Sequence, residues 1–430
     1  MNDPGSNGAP DVPTPQPVEL VSRRRRPEWP STLDVARLRS SGWEPAGFRQ
    51  YLFKIASRCN LDCDYCYVYH QADSTWRDQP RFMSDAVVDA SLERMREHVV
   101  AHELERVSIV FHGGEPLLAG AEYLQRFARK ARSVLGDQVS VRLTMQSNGT
   151  LLTPAILDVM LAEGIAMGIS LDGDRAANDL HRLDRHGRSS FDAVARGLEL
   201  LSDERYSSRM LGLLCTINLE AEPMAVYEGL LSFSPPWLDL LLPHGTWDEP
   251  PPGKEGDPMG STPYADWLIP IFDSWFAERV KPVSIRIFEE VVSLVMGGRS
   301  RFESFGVETV SLIVIEADGS IEQVDSLKAA YDGAADTGMT VFANSFDEVL
   351  LAPAVVARQI GMDALDDTCR ACDLVSICGA GLYSHRHRTG TGFLNPSVCC
   401  ADLDRLIRHV AAAVDREVAI RRNGPNTLAT

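Results

Sequence analysis

The feature that most constrains the fold is a strand, loop and helix pattern that repeats six times between about residues 50 and 245. Six β/α units in succession predict an α/β protein, with a parallel sheet covered by helices in an open or closed barrel. In such folds the functional site lies at the carboxyl ends of the strands. Short apolar runs predict the strands at 51–55, 107–112, 139–145, 166–171, 211–217 and 238–242. Helical spacing predicts one helix that follows Ser84 as its N-cap, and others at about 121–135, 154–163, 190–203 and 223–232.

Changes in composition divide the chain into four regions. We expect residues 1–45 to form a disordered or extended tail. Residues 46–245 contain the repeated units. We expect residues 246–365 to form a linker and substrate-facing region. Residues 366–430 contain five of the nine cysteines, and predict a small metal-organised module that a C-terminal helix closes.

The charge and the apolar runs exclude several classes of protein. The formal net charge of −18 argues against nucleic acid as the main partner, because phosphate binding requires a basic surface. No apolar run reaches the length of a membrane-spanning helix, and the N-terminus has no secretory h-region. We therefore expect a cytoplasmic protein with reduced thiols and no membrane partner.

The first cysteine cluster follows the first predicted strand. Cys59, Cys63 and Cys66 form a C-x3-C-x2-C pattern, which can hold three corners of an iron–sulfur cube and leave the fourth iron without a protein ligand. The alternative is a zinc site with a distant fourth ligand, but zinc sites favour C-x2-C pairs.

Polar motifs follow the next three strands. They are HGGEP at 112–116, QSNG at 146–149 and SLDG at 170–173. Together with the cysteine spacing, their order resembles the radical S-adenosylmethionine (radical SAM) enzymes over about residues 50–245. The resemblance implies a [4Fe–4S] cluster and S-adenosylmethionine, which together supply a 5′-deoxyadenosyl radical that removes hydrogen from an unactivated carbon.

The same resemblance implies which residues contact the cofactors. The cluster ligands are Cys59, Cys63 and Cys66. The expected S-adenosylmethionine contacts are Tyr65 at the adenine; Gly113, Gly114 and Glu115 at the amino group; Ser147, Asn148, Ser170 and Asp172 at the ribose and carboxylate; and Arg182 as a candidate at the carboxylate.

The second cysteine cluster leaves two interpretations, a structural zinc site or an auxiliary iron–sulfur cluster, because both need four ligands. Its spacing resembles the C-terminal SPASM or twitch extension of peptide-modifying radical SAM enzymes. A full SPASM domain has seven cysteines, and too few remain here, so we expect one auxiliary [4Fe–4S] cluster. Cys400 is preferred to Cys399, because residues 395–402 resemble a branch that keeps only that cysteine. The expected ligands are Cys369, Cys372, Cys378 and Cys400.

Three stretches narrow the resemblance to the FxsB-like peptide maturases, which form three-residue cyclophanes. These stretches are 242–247, 322–328 and 379–386. The resemblance implies a ribosomally made precursor peptide whose side-chain β-carbon loses hydrogen and then bonds to an aromatic ring. The reductant expected is a flavodoxin or ferredoxin. The candidate catalytic bases or substrate contacts are Glu322, Asp325, His244 and His385.

Three kinds of alternative remain. One is a zinc-organised binding module, which the acidic charge and the open three-cysteine motif disfavour. Another SPASM-type enzyme, which forms thioethers or matures sulfatases, would share the radical chemistry and differ in its product. A non-enzymatic iron–sulfur electron carrier would have fully ligated clusters and no use for the 112–116 motif.

Overall fold

The computed structural model describes residues 28–300 and 302–423. Ten strands form one sheet in the order β10-β9-β8-β1-β2-β3-β4-β5-β6-β7. The strands are β1 Gln50–Ala56, β2 Arg106–Gly113, β3 Ser140–Ser147, β4 Ile165–Ser170, β5 Met210–Thr216, β6 Trp237–Leu241, β7 Ser284–Ile285, β8 Leu312–Ile315, β9 Ser320–Glu322 and β10 Asp336–Thr340.

The central six strands confirm the predicted partial (β/α)6 barrel. β1 to β6 lie side by side in sequence order and all pair in parallel. Each lies within two residues of the span that its apolar run predicts. Parallel neighbours require a crossover, which a helix supplies after each of the first five strands. The carboxyl ends of all six strands therefore meet at one edge, where the candidate motifs lie.

The helices cover the sheet with apolar faces. In the first long helix, Ser84 is the N-cap and its hydroxyl accepts a hydrogen bond from the Val87 backbone, as predicted. Leu92 and Met95 of the same helix are fully buried against the sheet. The helices are α1 Val35–Ser40, α2 Asp85–Ala101, α3 Ala121–Leu135, α4 Pro154–Ala162, α5 Arg175–His181, α6 Phe191–Ser202, α7 Pro223–Leu231, α8 Pro263–Ala277, α9 Arg286–Val295, α10 Phe346–Val349, α11 Pro353–Val356, α12 Asp367–Arg370, α13 Val375–Cys378 and α14 Cys400–Asn423.

The region expected to be a linker contributes to the central sheet. β8 pairs in parallel with β1, and β9 and β10 continue the sheet in antiparallel order. Residues 312–340 therefore extend the barrel at its β1 edge and do not merely connect two modules. The expected tail also differs in part, because α1 forms within it, while residues 1–27 lie outside the described residues.

One carboxylate joins the C-terminal helix to the barrel. Asp402, in the first turn of α14, accepts hydrogen bonds from the backbone of Tyr264 (2.8 Å) and Ala265 (3.1 Å) at the start of α8. It also pairs with the buried Lys254 at 2.7 Å. This carboxylate supplies acceptors for two N–H groups that a helix start leaves without intrahelical partners.

No helix within the described residues is both long and apolar enough to cross a membrane.

Candidate active site

A cavity of about 540 Å³ opens at the carboxyl ends of the central strands. Its wall includes Cys59, Cys63 and Cys66 from the loop after β1. Opposite this loop, the wall continues through the residues that follow β5 and β6. The cysteine triad predicted from the sequence thus lies beside an enclosed space at the edge of the sheet where α/β folds bind ligands.

The glycines of the 112–116 motif hold the cysteine loop against the sheet. The backbone of Gly114 donates to Ala56 (2.8 Å) and that of Glu115 donates to Arg58 (3.0 Å). A Cβ at Gly114 would lie 2.5 Å from the Arg58 backbone and 2.0 Å from the Tyr69 hydroxyl. Gly113 and Gly114 also line the cavity, as expected, but the close approach that excludes a side chain at Gly114 is to protein atoms.

Glu115, which we expect at the ligand's amino group, makes its hydrogen bonds within the protein. Its side chain is completely buried and does not line the cavity. One carboxylate oxygen accepts from the Ser147 hydroxyl (2.8 Å) and the Leu117 backbone (2.9 Å), and the other accepts from the Asn148 backbone (2.8 Å). Burial raises its pKa, which these hydrogen bonds oppose. The carboxylate therefore joins the loops after β2 and β3 within the protein.

Hydrogen bonds from the loop after β3 reach the first cysteine. The side-chain amide of Asn148 donates to Cys59 Sγ (3.7 Å) and to Asn60 (2.9 Å), while the Leu61 backbone also donates to Cys59 Sγ (3.4 Å). Burial raises the pKa of Cys59 to about 12 and that of Cys63 to about 11. N–H donors of this kind stabilise a thiolate, which is the form that binds metal.

The remaining predicted contacts with S-adenosylmethionine lie in or near a hydrogen-bond network around Tyr65. Some of them line the cavity and one does not. Tyr65 and Arg182 line the cavity, as do Ser147, Asn148 and Ser170. Asp172 does not: one of its oxygens accepts from the Tyr65 hydroxyl and the other from the Thr216 backbone (3.0 Å). Arg182 donates to the Tyr65 hydroxyl at 2.8 Å. Asp172 therefore holds the tyrosine in place, and its expected contact with the ligand stays a prediction.

Two predicted bases lie behind the cavity wall. Asp325 is buried and pairs with the buried Lys54 at 2.6 Å. Burial opposes its ionisation, but Lys54, His112 and Lys328 together outweigh this effect, and the pKa of Asp325 falls to about 2. Glu322 is also buried and pairs with Lys328 at 2.8 Å. Burial and the adjacent Glu316 raise the pKa of Glu322 to about 9, which favours its protonated form at neutral pH.

The two predicted histidines occupy different positions. His244, after β6, lines the cavity, and its ring lies edge-on to Tyr67 with centroids 4.6 Å apart. Burial lowers the pKa of His244 to about 3, so its ring is neutral. His385 is fully buried, with Nε2 2.9 Å from the Pro243 carbonyl oxygen, and does not reach the cavity. It supports the loop that carries His244.

The sequence interpretation missed several polar groups at the cavity. His112 lines the wall with Nδ1 3.5 Å from Asp325, and burial lowers its pKa to about 4. Gln71 and Asn218 also line the wall, and each has a buried polar atom without a hydrogen-bond partner. The position of His112 directly before the glycine pair could have identified it. Gln71 and Asn218 have no comparable signal in the sequence.

The second cysteine cluster converges around the start of α14. Burial raises the pKa of Cys369 and Cys378 to about 12, and the neighbouring thiol of Cys400 adds to both shifts. Cys372 likewise acts on Cys378 and Cys400. Cys399 is completely buried in the main hydrophobic core and faces Asp402 and Lys254. The structure thus brings together the four cysteines that we expect to bind an auxiliary cluster. Cys215 lies in the core, as a strand residue.

The thiols are not preset at the spacing of a bound zinc ion. Tetrahedral zinc, with Zn–S bonds of about 2.3 Å, places sulfurs about 3.8 Å apart. Within residues 28–300 and 302–423, no three cysteine sulfurs lie within 4.8 Å of one another. A cluster that binds each thiolate through a different iron tolerates wider spacing.

Comparisons with known proteins agree with this chemistry. Residues 53–224 match the Radical SAM superfamily. The serine-type anaerobic sulfatase-maturating enzyme of Klebsiella aerogenes is 26% identical over 365 residues, which cover 81% of this chain and 83% of that enzyme. The cysteine-type enzyme of Clostridium perfringens is 25% identical over 273 residues, covering 63% of this chain and 72% of that enzyme.

Solved structures share the fold. Native anSMEcpe with bound AdoMet and Kp18Cys peptide has a TM-score of 0.73 at 21% identity, over 86% of this chain and 99% of that chain. Streptococcus suis SuiB bound to its precursor peptide SuiA has a TM-score of 0.52 at 13% identity, over 85% of this chain and 78% of that chain. Radical SAM proteins use a [4Fe–4S] cluster with S-adenosylmethionine, and the sulfatase-maturating relatives also carry auxiliary clusters. Residues 53–224 of this chain are therefore similar to the Radical SAM superfamily, and the likeness to the sulfatase-maturating enzymes extends over most of the chain.

Proposed function

We propose that this chain is a radical SAM enzyme that oxidises a side chain of a peptide or protein substrate, as anaerobic sulfatase-maturating enzymes do. The observation that carries the proposal is the match to such an enzyme over 81% of this chain and 83% of the relative, which extends far beyond the radical SAM domain. A serine or cysteine side chain is the substrate group that this likeness favours.

The cofactors would be held by the residues described above. Cys59, Cys63 and Cys66 would bind the first cluster, and Tyr65, Arg182 and the polar residues at the ends of β3 and β4 would surround S-adenosylmethionine. When bound, this pair supplies the 5′-deoxyadenosyl radical. The protein's part is to orient the target C–H bond and to exclude water.

The cavity also offers a proton acceptor. Oxidising a CH–OH or CH–SH group by two electrons removes a hydrogen atom from carbon, a proton from the oxygen or sulfur, and one further electron. An auxiliary cluster would accept that electron. His112 lines the cavity with a neutral ring, and Asp325 lies 3.5 Å behind it with a carboxylate that stays ionised. We assign His112 as the group that takes the proton, and Asp325 as the carboxylate that stabilises the resulting imidazolium.

Two fixed amides suit the backbone of a peptide substrate. The Asn218 carbonyl oxygen accepts from the Glu220 backbone (2.9 Å), which fixes its unpaired Nδ2 as a donor. The Gln71 amide nitrogen donates to the His244 carbonyl (3.3 Å), which fixes its unpaired Oε1 as an acceptor. One donor and one acceptor match the two polar groups of a peptide unit. Cys372 of the auxiliary site is exposed, which suits electron exchange with a flavodoxin or ferredoxin.

Cyclophane formation on a precursor peptide is the second candidate. It is favoured by contacts between two of the FxsB-like stretches, since His385 of 379–386 contacts the Pro243 carbonyl of 242–247. The stretch 379–386 therefore packs behind the wall that 242–247 forms beside His244. For a serine target both candidate reactions remove two hydrogens, so mass alone does not separate them. A cysteine target would lose two hydrogens to give a thioaldehyde, which water would convert to the aldehyde with release of hydrogen sulfide.

The test uses anaerobically reconstituted, chemically reduced protein. We expect 5′-deoxyadenosine from S-adenosylmethionine, and none from a Cys59→Ala/Cys63→Ala/Cys66→Ala control. Peptides with a target serine or cysteine should then gain an aldehyde that a hydrazide reagent traps. A peptide that loses two hydrogens without reacting with hydrazide would support the cyclophane candidate. Absence of the nucleoside from a fully iron-loaded protein, with and without peptides, would refute both.

A further inference from the structure

The turn after Cys378 has an unusual backbone. Gly379, Ala380 and Gly381 all lie in the left-handed region, with φ of 59°, 64° and 64°. Ala380 adopts this conformation against its steric preference. A Cβ at Gly379 would lie 1.6 Å from the Gly306 carbonyl oxygen, so only glycine fits there. Consecutive left-handed residues need support from the surrounding structure.

Arg386 provides that support with its side chain. Its Nη2 donates to the carbonyls of Gly379 (2.6 Å) and Gly381 (3.0 Å), and its Nε donates to that of Ala380 (3.1 Å). The arginine is only 7% exposed, and its carbon Cζ lies 5.2 Å from the centre of the Tyr383 ring. A planar guanidinium can hold three carbonyls in this way, whereas a lysine ammonium cannot hold them in one plane.

The turn directs a backbone donor at a cluster cysteine. With its carbonyl oxygen held by Arg386, Ala380 has its N–H hydrogen-bonded to the Cys378 thiol, which opposes the rise in pKa that burial causes there. The charge of Arg386 would be favoured by negative charge on Tyr383, Cys378 and Cys369, and the two cysteines would carry such charge as cluster thiolates. The arginine thus acts on two of the four cysteines expected to bind the auxiliary cluster.

We propose that Arg386 is a positioning residue that raises the reduction potential of the auxiliary cluster. Reduction adds one negative charge to the cluster, and a buried cation nearby stabilises that charge. The N–H···S bond from Ala380 acts in the same direction, because hydrogen bonds to cluster sulfurs raise the potential. A cluster of higher potential accepts an electron from the substrate more readily. This inference deepens the proposed function, but it concerns the cluster and can be measured without substrate.

The experiment measures the potential of the auxiliary cluster alone. The full chain carries Cys59→Ala/Cys63→Ala/Cys66→Ala, so that only the auxiliary site loads iron, and the reduced fraction is followed by absorbance and electron paramagnetic resonance during anaerobic titration. In this background, Arg386→Gln should lower the reduced-to-oxidised ratio at a fixed potential at least tenfold, about 59 mV for one electron. Arg386→Lys keeps the charge but loses the three-carbonyl contact, so it should shift the potential in the same direction by less.

Arg408→Gln is the matched control. Arg408 pairs with Asp373, next to Cys372, but is half exposed, so water screens its charge. Removal of the Arg408 charge should leave the reduction potential of the auxiliary cluster close to its value in the protein that keeps both arginines. A shift in Arg386→Gln no larger than in Arg408→Gln would overturn the proposal. If Arg386→Gln fails to bind iron, a native potential in Arg386→Lys would overturn it. Failure of both variants to bind iron would also overturn it, because Arg386 would then serve cluster assembly.

The result is independent of the substrate. The reduction potential of the auxiliary cluster could fall as expected in Arg386→Gln while no peptide gives a product. That result would support this inference and refute the proposed function. Conversely, if the enzyme modifies peptides but substitution of Arg386 leaves the reduction potential of the auxiliary cluster unchanged, only the inference is refuted.

Discussion

Glu115→Gln tests whether the buried carboxylate organises the protein or awaits a ligand. Glutamine has nearly the same shape and keeps one carbonyl acceptor, but it places an NH2 group against one of the three donors. With the carbonyl turned toward Ser147 and Leu117, the amide nitrogen faces the Asn148 backbone N–H. One buried N–H then loses its partner, which costs roughly 1–3 kcal/mol.

The remaining terms partly cancel. The two surviving hydrogen bonds lose their ionic acceptor and weaken by about 1 kcal/mol each. Removing a buried charge offsets part of this loss, since burial already raises the pKa of Glu115. We therefore expect Glu115→Gln to lower the free energy of unfolding by about 2–3 kcal/mol. The reduction should be present without any ligand.

The assay is urea unfolding of the reduced, metal-free protein, followed by circular dichroism under anaerobic conditions. Ser147→Ala, which removes one of the three donors, should cost about 1 kcal/mol. Glu249→Gln is the matched control, because that acid lines the same cavity but is exposed and should change stability by less than about 0.5 kcal/mol. If Glu115→Gln has native stability and lowers only the affinity for S-adenosylmethionine, the organising role is wrong and the ligand-binding role is right.

Further predictions concern the auxiliary cysteines and the buried ion pairs. Cys400→Ala should remove the auxiliary cluster, which an iron assay would show as a loss of about four irons per chain. Cys399→Ala should keep the cluster. Loss of iron only in Cys399→Ala would reverse the assignment. Lys54→Met should lower the free energy of unfolding by about 3–5 kcal/mol, because it leaves Asp325 charged and unpaired. The double variant Lys54→Met/Asp325→Leu should recover most of the lost free energy of unfolding. Because the folded pKa of Asp325 is about 2, its ionisation stabilises the fold above pH 4, and unfolding midpoints should show this stabilisation lost as pH falls from 4 to 2. Glu322 has the opposite sign, since its raised folded pKa of about 9 costs stability as pH rises from about 5 to 9. Glu322→Gln should flatten that slope, and an unchanged slope would contradict the protonated state.

The barrel could be predicted because its signals are local. Each central strand is a short apolar run, and each helix has a cap or an apolar face that can be found within a few residues. The cysteine positions were equally accessible, because spacing alone places Cys59, Cys63 and Cys66 on one loop.

The use of the polar side chains could not be predicted in the same way. Lys54 lies in an apolar strand and looks out of place there until Asp325, 271 residues later, is brought beside it. Glu115 and Asp172 occupy expected motifs, yet their acceptors are taken by protein donors that only the folded chain supplies. Pairings between distant segments have no periodicity, so sequence patterns give their residue types but not their partners.

The position of Asp402 makes assembly of the metal site and the shape of the cavity interdependent. It lies two residues after Cys400 and anchors the start of α8, where Tyr264 forms part of the cavity wall and donates to the Pro252 carbonyl at 2.6 Å. Any displacement of Cys400 is therefore transmitted through one short helical turn to the surface that would receive a substrate. If Cys400 binds the proposed auxiliary cluster, iron limitation would therefore affect both the cluster and the shape of the pocket.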